Sequence, residues 1–239
     1  MAPFPVPSQL MKSCAPGPGA IGGVVGYGLQ DCGRLGSHRL AAAGGGTEGD
    51  ERGGQQEGCG GDQGLVEARV EGGRRVRLRP GGPRDAPTLR AILAEPSVSR
   101  WWGEPDPVAA IEADLCGRDS AVLLVMEVDG QVAGGIQYVE ENEPMYRHAG
   151  IDIYLGGRYQ GQGIGTEAIG LLARFLFEQR GHHRITIDPA AANAQAIRCY
   201  TKVGFRPVGV MRQYERGGDG RFHDGLLMDL LQEELAADL

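Results

Sequence analysis

The sequence predicts an α/β protein with a mixed, mostly antiparallel sheet, helices on both faces of that sheet, and a disordered tail ahead of it. Three observations predict this fold. From Val76 onward, apolar residues follow strand and helix periods in the order β-α-α-β-β-β-α-β-α-β-β. The pair Asp129-Gly130 joins two apolar runs and indicates a β-hairpin. A glycine-rich stretch, QGQGIGTEA (160–168), lies between a predicted strand and a predicted helix.

The strands are predicted from alternating or continuous apolar runs that are bounded by turn residues. They are, in chain order, Val76–Arg79, the two arms of the hairpin within residues 121–140, Ile151–Leu155, Arg184–Asp188, and a closing pair at 205–214 and 222–231.

The helices are predicted from apolar residues that recur three and four positions apart. Asp85 is a candidate N-cap for the first helix, and Pro96 is expected to stop it. Trp101 and Trp102 are expected in a loop before the second helix. His182, like its neighbour His183, is expected as a surface imidazole after the third. The predicted helices are Ala86–Leu93, Val108–Leu115, Ile164–Gln179 and Ala194–Val203.

Residues 1–75 form a predicted disordered, Gly-rich N-terminal tail. They contain 20 of the 41 glycines and no sustained apolar period. Such a segment cannot bury enough apolar surface to offset its ordering entropy. We interpret it as disordered, or as a translated leader upstream of the true start. The predicted domain therefore spans residues 76–239, a comfortable size for one hydrophobic core.

Charge and cysteine content exclude several classes of partner. Residues 1–75 hold 7 of the 24 Lys and Arg and 8 of the 31 Asp and Glu, which leaves 17 basic against 23 acidic residues in the domain, a net charge of −6. This disfavours nucleic-acid binding, because contacts with phosphates depend on Lys and Arg. No apolar run approaches the ~18 residues of a membrane span. Five scattered cysteines predict free thiols in a reducing, cytoplasmic compartment and no metal site. Monomer and homodimer both remain open.

The glycines at 160–168 predict an anion-binding loop. Between a strand and a helix, they bring bare N–H groups and the positive end of a helix to one point, which suits pyrophosphate. A Walker loop is excluded because no lysine is present, and a Rossmann fingerprint because position 166 is Thr. The remaining pattern, Gln160-x-x-Gly163-x-Gly165, resembles the pyrophosphate loop of the GNAT superfamily of N-acetyltransferases.

A second motif carries the same resemblance. The segment DPAAANAQAIRCYTKVGF (188–205) is similar to the second acetyl-CoA motif of the superfamily, in which an Asn opens a helix and a Tyr lies one turn from its end. Two motifs in this order imply the GNAT fold, with acetyl-CoA as co-substrate. The residues that the resemblance assigns to acetyl-CoA are Gln160, Gly161, Gln162, Gly163, Ile164, Gly165, Thr166 and Asn193.

A narrower resemblance covers about residues 101–231 and is densest from 150 to 209. The stretches WWGEP, GIDIYL, QGQGIGTEAIGLLARFLF and IDPAAANAQAIRCYTKVGFRPVG look like the aminoglycoside 6'-N-acetyltransferases. In that family the aspartate of Gly-Ile-Asp contacts the aminoglycoside near the reacting amine, which corresponds to Asp152. The aspartate of Asp-Pro lines the same site and corresponds to Asp188. The final hairpin differs, being longer and more polar than in the family.

The resemblance and the residue chemistry together predict site roles. Asp152 is expected to orient the substrate ammonium or to take its proton through water. Tyr200 is expected to donate its phenolic proton to the departing sulfur of coenzyme A, since both groups have a pKa near 10. Trp101 and Trp102, with Glu104 beside them, are expected to bind the acceptor, although one Trp can instead anchor the segment in the core.

Other predicted site residues have ordinary structural roles as alternatives. Asn193 suits a helix N-cap as well as a contact with pantetheine. Asp188 precedes Pro189, which is a turn-forming pair in its own right. Cys199 is expected to be a packed thiol, because a nucleophilic cysteine needs a base partner that the sequence does not show.

The predicted function is acetyl-CoA-dependent N-acetylation of an amine on a polycationic small molecule, foremost the 6'-amine of an aminoglycoside, by direct attack in a ternary complex. The same fold can also acylate a siderophore precursor, a polyamine or a protein N-terminus. A non-catalytic acyl-CoA sensor is a third reading, but it has no need of Tyr200 and Asp152.

Residues 1–75 are predicted to be dispensable, because they offer no periodic apolar face on which a core could depend. A chain that starts near Arg74 should melt and turn over like the full chain. Thermal unfolding and acetyl transfer of the two chains, compared side by side, check this. Loss of cooperative unfolding in the shorter chain would show that the segment is structured.

Overall fold

The computed structural model describes residues 75–105, 107–116, 121–217 and 219–237. The predicted disorder of residues 1–75 falls outside this part, except at Arg75. The strands are β1 (Val76–Pro80), β2 (Val122–Val128), β3 (Gln131–Glu141), β4 (His148–Leu155), β5 (Arg184–Ile187), β6 (Arg206–Arg216) and β7 (Phe222–Leu231). The helices are α1 (Ala86–Leu93), α2 (Pro96–Trp102), α3 (Val108–Leu115), α4 (Ile164–Glu178) and α5 (Ala194–Val203).

The seven strands form one mixed sheet in the order β1-β2-β3-β4-β5-β7-β6. Neighbouring strands are antiparallel except β4 and β5, which are parallel. A parallel pair needs a crossover connection, and α4 supplies it. The parallel pair therefore lies in the middle of the sheet, with an antiparallel set of strands on each side.

Helices cover both faces of the sheet, and each face has its own cluster of buried residues. On one face α4 and α5 bury a large cluster, in which Leu172, Phe175 and Phe205 are fully enclosed. On the other face α1, α2 and α3 pack on β2 and β4, with Leu89 and Tyr154 among the buried side chains. Since alternate residues of a strand point to opposite faces, β4 contributes to both clusters. The predicted α/β fold is confirmed.

The predicted hairpin is also confirmed. Asp129 and Gly130 connect β2 to β3 and both have a left-handed backbone, with φ of 50° and 71°. A type I′ turn needs positive φ at both central residues, and Asp-Gly supplies it at little cost. α1, α3 and α5 have the predicted bounds, and α4 ends one residue earlier than predicted.

Helix α2 is absent from the sequence prediction. Pro96 was expected to stop α1, but α1 ends at Leu93 and Pro96 is the first residue of α2. Proline suits this position because its fixed φ is helical and its missing N–H would have no helical acceptor there. Trp101 and Trp102 therefore lie in the last turn of a helix, and their expected placement in a loop is wrong.

Asp85 is at the N-cap position of α1, as predicted, but its side chain does not cap the helix. Its carboxylate makes no hydrogen bond to the first turn of that helix and instead accepts two bonds of 2.8 Å from the Arg79 guanidinium. It also accepts from the backbone N–H of Gly82 at 2.9 Å. The hydrogen bonds from Arg79 are the main reason that the pKa of Asp85 lies below its ordinary value. The Asp85 carboxylate thus pairs with the charge of Arg79 on β1 and not with the N–H groups at the start of α1.

His182 is buried, so its expected placement on the surface is wrong, whereas His183 is exposed. The Nε2 atom of His182 lies 2.8 Å from Oε1 of Glu140. The other oxygen of this carboxylate, Oε2, pairs with the Arg180 guanidinium at 2.6 Å. Nδ1 of His182 is buried and has no hydrogen-bond partner among the described residues. A proton on Nδ1 would be costly there, which favours the neutral imidazole with Nε2–H donating to Glu140.

Burial lowers the pKa of His182 below its ordinary 6.5, and the charges of Arg147 and Arg180 act in the same direction, although Glu140 opposes them. For Glu140, burial would raise the pKa of the carboxyl, but hydrogen bonds from Arg180 and His182 outweigh it and the pKa is lowered. Both shifts make the folded state less stable in acid than at neutral pH.

Acid should therefore destabilise the protein in two stages. Below about pH 6.5 the unfolded chain takes up a proton at His182 that the folded chain resists, so the free energy of unfolding falls as the pH falls. Loss of the Glu140 contribution follows at lower pH, below the ordinary carboxyl pKa. Urea unfolding across about pH 8 to 3 measures this dependence.

His182→Gln should flatten the first stage, whereas His183→Gln, at the exposed neighbouring position, should leave the slope unchanged. Equal slopes for the wild type and His182→Gln between about pH 7 and 5.5 would contradict the assignment.

Candidate active site

Strands β4 and β5 run side by side for two residue pairs and then separate. Ala149 pairs with Ile185, and Gly150 with Thr186. Beyond this point the chain that follows β5 keeps its register with β7, since Ile187 faces Met228 and Ala190 forms a bridge with Gly225. The rest of β4 pairs with β3 alone among the described strands. An opening therefore forms in the middle of the sheet.

Two carboxylates occupy equivalent positions on the two sides of this opening. Continuing the register of Gly150 and Thr186 by two residues sets Asp152 level with Asp188. Since side chains alternate along a strand, both point to the face of the sheet opposite α4. Each is half-buried. Asp152 also accepts a hydrogen bond of 3.3 Å from the side-chain amide of Gln137 on β3. Two residues that lie 36 positions apart in the chain are therefore assigned to one face of the sheet, on the two sides of the opening.

The glycine loop joins the far end of β4 to α4. Gly161 and Gly163 are left-handed, with φ of 74° and 83°, and no atom lies within 4 Å of a Cβ built on either. The first helical hydrogen bond of α4 runs from the N–H of Glu167 to the carbonyl of Gly163, at 3.0 Å. The earlier N–H groups of the first turn have no acceptor within the helix, so they form a positive end.

Side chains around the loop hold it in shape. Gln160 donates from Nε2 to the carbonyl of Leu155 at 2.8 Å, which ties the loop to the end of β4. Glu167 accepts from the backbone N–H groups of Arg75 and Val76, which ties the start of β1 to α4. Gln162 is exposed, and its carbonyl accepts from the Arg75 guanidinium at 3.2 Å. The side chain of Gln160 is thus engaged in supporting the loop.

Helix α5 approaches the start of α4 closely. A Cβ on Gly165 would lie 3.5 Å from Sγ of Cys199, and Oγ1 of Thr166 lies 3.3 Å from the same sulfur. Burial raises the pKa of the Cys199 thiol, which disfavours the thiolate that a nucleophile needs. The next residue, Tyr200, is buried in the core, 7% exposed, with its ring 6.3 Å from that of Phe205.

Asn193 has the capping role that the sequence allowed. It is the N-cap of α5, and its Oδ1 accepts from the N–H of Ala196 at 3.1 Å. The amide NH₂ group of the side chain is not used in the cap. A contact of this group with the pantetheine arm stays a prediction.

Helix α2 is attached to β4 and its loop at both ends. At its start, Glu95 accepts from the N–H of Gly157 at 2.6 Å. At its end, the ring of Trp102 packs edge-on against Tyr154, with ring centres 5.0 Å apart. Trp102 is therefore the tryptophan that anchors this segment. Trp101 is half-buried with the Arg100 guanidinium 5.0 Å above its ring, and Glu104 is exposed.

Sequence reasoning missed three residues of this region. Arg75 places its guanidinium beside the glycine loop, and the Arg158 guanidinium lies over the ring of Tyr159, the residue before the loop, at 4.5 Å. Sequence reasoning could have found Arg158, because it lies two residues before Gln160 and phosphate sites favour Arg. Tyr154 supports Trp102, and only the fold shows this.

Two further features are absent from the part of the chain that the structure describes. The described residues contain no group of three or more His, Cys, Asp or Glu that could hold a metal ion. No helix in the same ranges is long and apolar enough to cross a membrane.

Comparison with known proteins identifies the class. The Acetyltransferase (GNAT) family matches residues 87–205. Spermidine N(1)-acetyltransferase of Escherichia coli is 29% identical over 168 residues, which is 68% of this chain and 89% of the relative. Aminoglycoside N(6')-acetyltransferase type 1 of Klebsiella pneumoniae is 30% identical over 155 residues, 57% of this chain and 76% of the relative. Among solved structures, Mycobacterium smegmatis RimJ in complex with CoA-disulfide has a TM-score of 0.60 at 26% identity, covering 67% of this chain and 83% of that one.

The chain belongs to the acetyltransferase (GNAT) family. It is an N-acetyltransferase that depends on acetyl-CoA, and the resemblance noted in the sequence is confirmed at this level. The roles of the individual residues and the identity of the acceptor stay predictions.

We expect the N–H groups of residues 161–166 to bind the pyrophosphate of acetyl-CoA, since the positive end of α4 and the open space beside Gly161 and Gly163 fit it. Gly163→Val should weaken acetyl-CoA binding at least tenfold, about 1.4 kcal/mol, by calorimetry. Because φ at Gly163 is 83°, valine also strains the backbone there.

The matched control is Gly130→Val. Gly130 has φ of 71° and equally open space, but it lies in the hairpin turn. Both variants should lose similar stability, and only Gly163→Val should lose acetyl-CoA affinity. Equal affinity in the two variants would refute the loop's assignment.

Proposed function

We propose that this enzyme acetylates an amine of a polycationic small molecule, foremost the 6'-amine of an aminoglycoside, in a ternary complex with acetyl-CoA. The observation that carries the proposal is the register of β4 and β5, since continuing it two residues beyond the pair of Gly150 and Thr186 sets Asp152 level with Asp188 across the opening. Two anionic groups at one opening favour a ligand with several positive charges. The net charge of −6 over residues 76–239 acts in the same direction.

Acetyl-CoA would be held on one side of the opening. The glycine loop and the first turn of α4 offer N–H groups to the pyrophosphate, with Arg75 and Arg158 as neighbouring cations. The inner edge of β4 beyond Gly150 offers backbone groups that β5 does not pair. Asn193 at the start of α5 would contact the pantetheine arm.

The acceptor would enter from the face that carries the carboxylates. Trp102, fixed against Tyr154, and Trp101 would border this entry, with Glu104 as an acidic neighbour. The substrate arrives as an ammonium ion, which Asp152 orients and from which it takes a proton through water. The neutral amine then attacks the thioester carbonyl.

Collapse of the tetrahedral intermediate breaks the C–S bond and forms the amide. The departing thiolate needs a proton, which Tyr200 would supply from its phenol. Tyr200 follows Cys199, the residue through which α5 contacts Thr166 at the start of α4. The second amine proton passes to solvent, and the proton first taken by Asp152 returns through water to the Tyr200 phenolate, which completes the balance.

A polyamine is the second candidate acceptor. The Escherichia coli relative named as a spermidine N(1)-acetyltransferase matches 68% of this chain, a larger share than the 57% matched by the aminoglycoside relative. Both acceptors are polycations and fit the same carboxylates. A ring-based acceptor is favoured by the two tryptophans, since sugar rings stack on aromatic faces.

The test of the proposal is release of coenzyme A thiol from acetyl-CoA across a panel of amines. The panel holds a kanamycin-type aminoglycoside, spermidine, a neutral monoamine and a peptide with a free N-terminus. If kcat/KM is highest for the aminoglycoside, the proposal is supported. If kcat/KM is highest for spermidine, the second candidate is supported. Preference for the neutral amine or the peptide would refute both.

Asp152→Asn should lower kcat/KM for the preferred polyamine or aminoglycoside by a factor on the order of ten to a thousand. The variant keeps the shape of the side chain and its contact with Gln137 but removes the charge. Acetyl-CoA affinity should stay unchanged. Asp129→Asn, in the hairpin turn, is the control and should match the wild type. Wild-type kcat/KM in Asp152→Asn would exclude the role of its charge.

A further inference from the structure

We propose that Tyr214 on β6 is a specificity-determining residue, forming the wall of the acceptor site on the far side of Asp188 from Asp152. This inference rests on the proposed function and names a residue to which the sequence resemblance assigns no role. It follows from the register of three strands, from a bulge in β6 and from the space above one glycine.

The first step is the register on β7. The segment after β5 stays hydrogen-bonded to this strand, with the N–H of Leu226 donating to Pro189 and that of Ala191 to Asp224, both at 2.8 Å. Ala190 and Gly225 are register partners. Asp188 lies two residues before Ala190, so Asp188 and the side-chain position of Gly225 share one face of the sheet.

The second step is the bulge in β6. The pairing of β6 with β7 shifts between Met211 and Glu215. Within it Gln213 has a left-handed φ of 49°, which is uncommon for a residue other than glycine. The carboxylate of Asp224 on β7 accepts from the N–H of Gln213 at 2.8 Å and so holds this conformation. Bulges re-aim side chains beside functional sites, and this one redirects Tyr214.

The third step is the space above Gly225. A Cβ built on this residue would lie 2.9 Å from Cδ1 of Tyr214 and 3.2 Å from Cε of Met211. The Tyr214 ring therefore occupies the place where residue 225 would carry a side chain. That place is on the same face of the sheet as Asp188. It lies on the strand next to Ala190, and neighbouring strands are about 5 Å apart. The ring remains 37% exposed, so a bound molecule can reach it.

These contacts give the acceptor site two aromatic sides. Trp101 and Trp102 border the β4 side, and Tyr214 borders the β7 side, with the two carboxylates between them. An aromatic face attracts ammonium groups and stacks on sugar rings. The distance between the two sides would select acceptors by length and width, whereas the carboxylates select them by charge.

The experiment compares acceptor kinetics of full-length variants at saturating acetyl-CoA. Tyr214→Ala should raise KM for the preferred polycationic acceptor about tenfold, with acetyl-CoA affinity unchanged. Tyr214→Phe should stay near the wild type, because stacking needs the ring and not the hydroxyl. Phe222→Ala is the matched control, since it removes an exposed aromatic from the same hairpin, and it should not change KM.

Gly225→Ala gives an independent reading, because its methyl group displaces the Tyr214 ring without removing it. It should shift the ranking of acceptors of different length, and melting curves verify that the hairpin is intact. If the wild type turns over a polycation and Tyr214→Ala and Phe222→Ala have equal KM values for it, this inference alone is overturned. A wild type that acetylates no polycationic amine would overturn the proposed function and this inference with it.

Discussion

The separation of β4 from β5 after Gly150 is the constraint on which the rest of the site depends. Parallel strands ordinarily exchange hydrogen bonds along their whole length, and here they do so for two residue pairs only. The chain after β5 keeps its partner on β7 and so departs from β4. The opening exposes backbone groups of β4 on one side and sets Asp152 level with Asp188 on the other. A continuous sheet would have had neither feature.

The C-terminal end of β4 connects the co-substrate region to the acceptor region. Tyr154 supports Trp102 on the acceptor face, and three residues later Gly157 is held by Glu95, the residue before α2. The glycine loop follows directly. A Cβ on Gly157 would lie 3.0 Å from Oγ of Ser97 and 3.1 Å from Oε2 of Glu95, so this contact leaves little room to shift. One short segment therefore supports both regions.

Local signals accounted for most of the fold because they depend on neighbouring residues. The Asp129-Gly130 turn, the apolar period of α4 and the Asn193 cap each form within a few positions, and the structure contains all three. Predictions went wrong where a partner on another element of the fold competed with the local interaction. Asp85 pairs with Arg79 instead of capping α1, and His182 is buried against Glu140, 42 positions away. Pro96 starts a helix because β4 supplies a surface on which α2 packs, through the contact of Trp102 with Tyr154.

By itself, the sequence determined the family, the order of nearly all elements, the glycine loop and the candidate carboxylates. Those properties reside in residue types at short spacings. Only the tertiary structure decided that Asp152 and Asp188 share a face and a level, that Trp102 rests on Tyr154, and that Tyr214 lies above Gly225. Each of these depends on strand register or on a bulge, and a shift of one residue would turn the side chain to the other face. Register is set by the packing of the whole sheet, which no short stretch of sequence encodes.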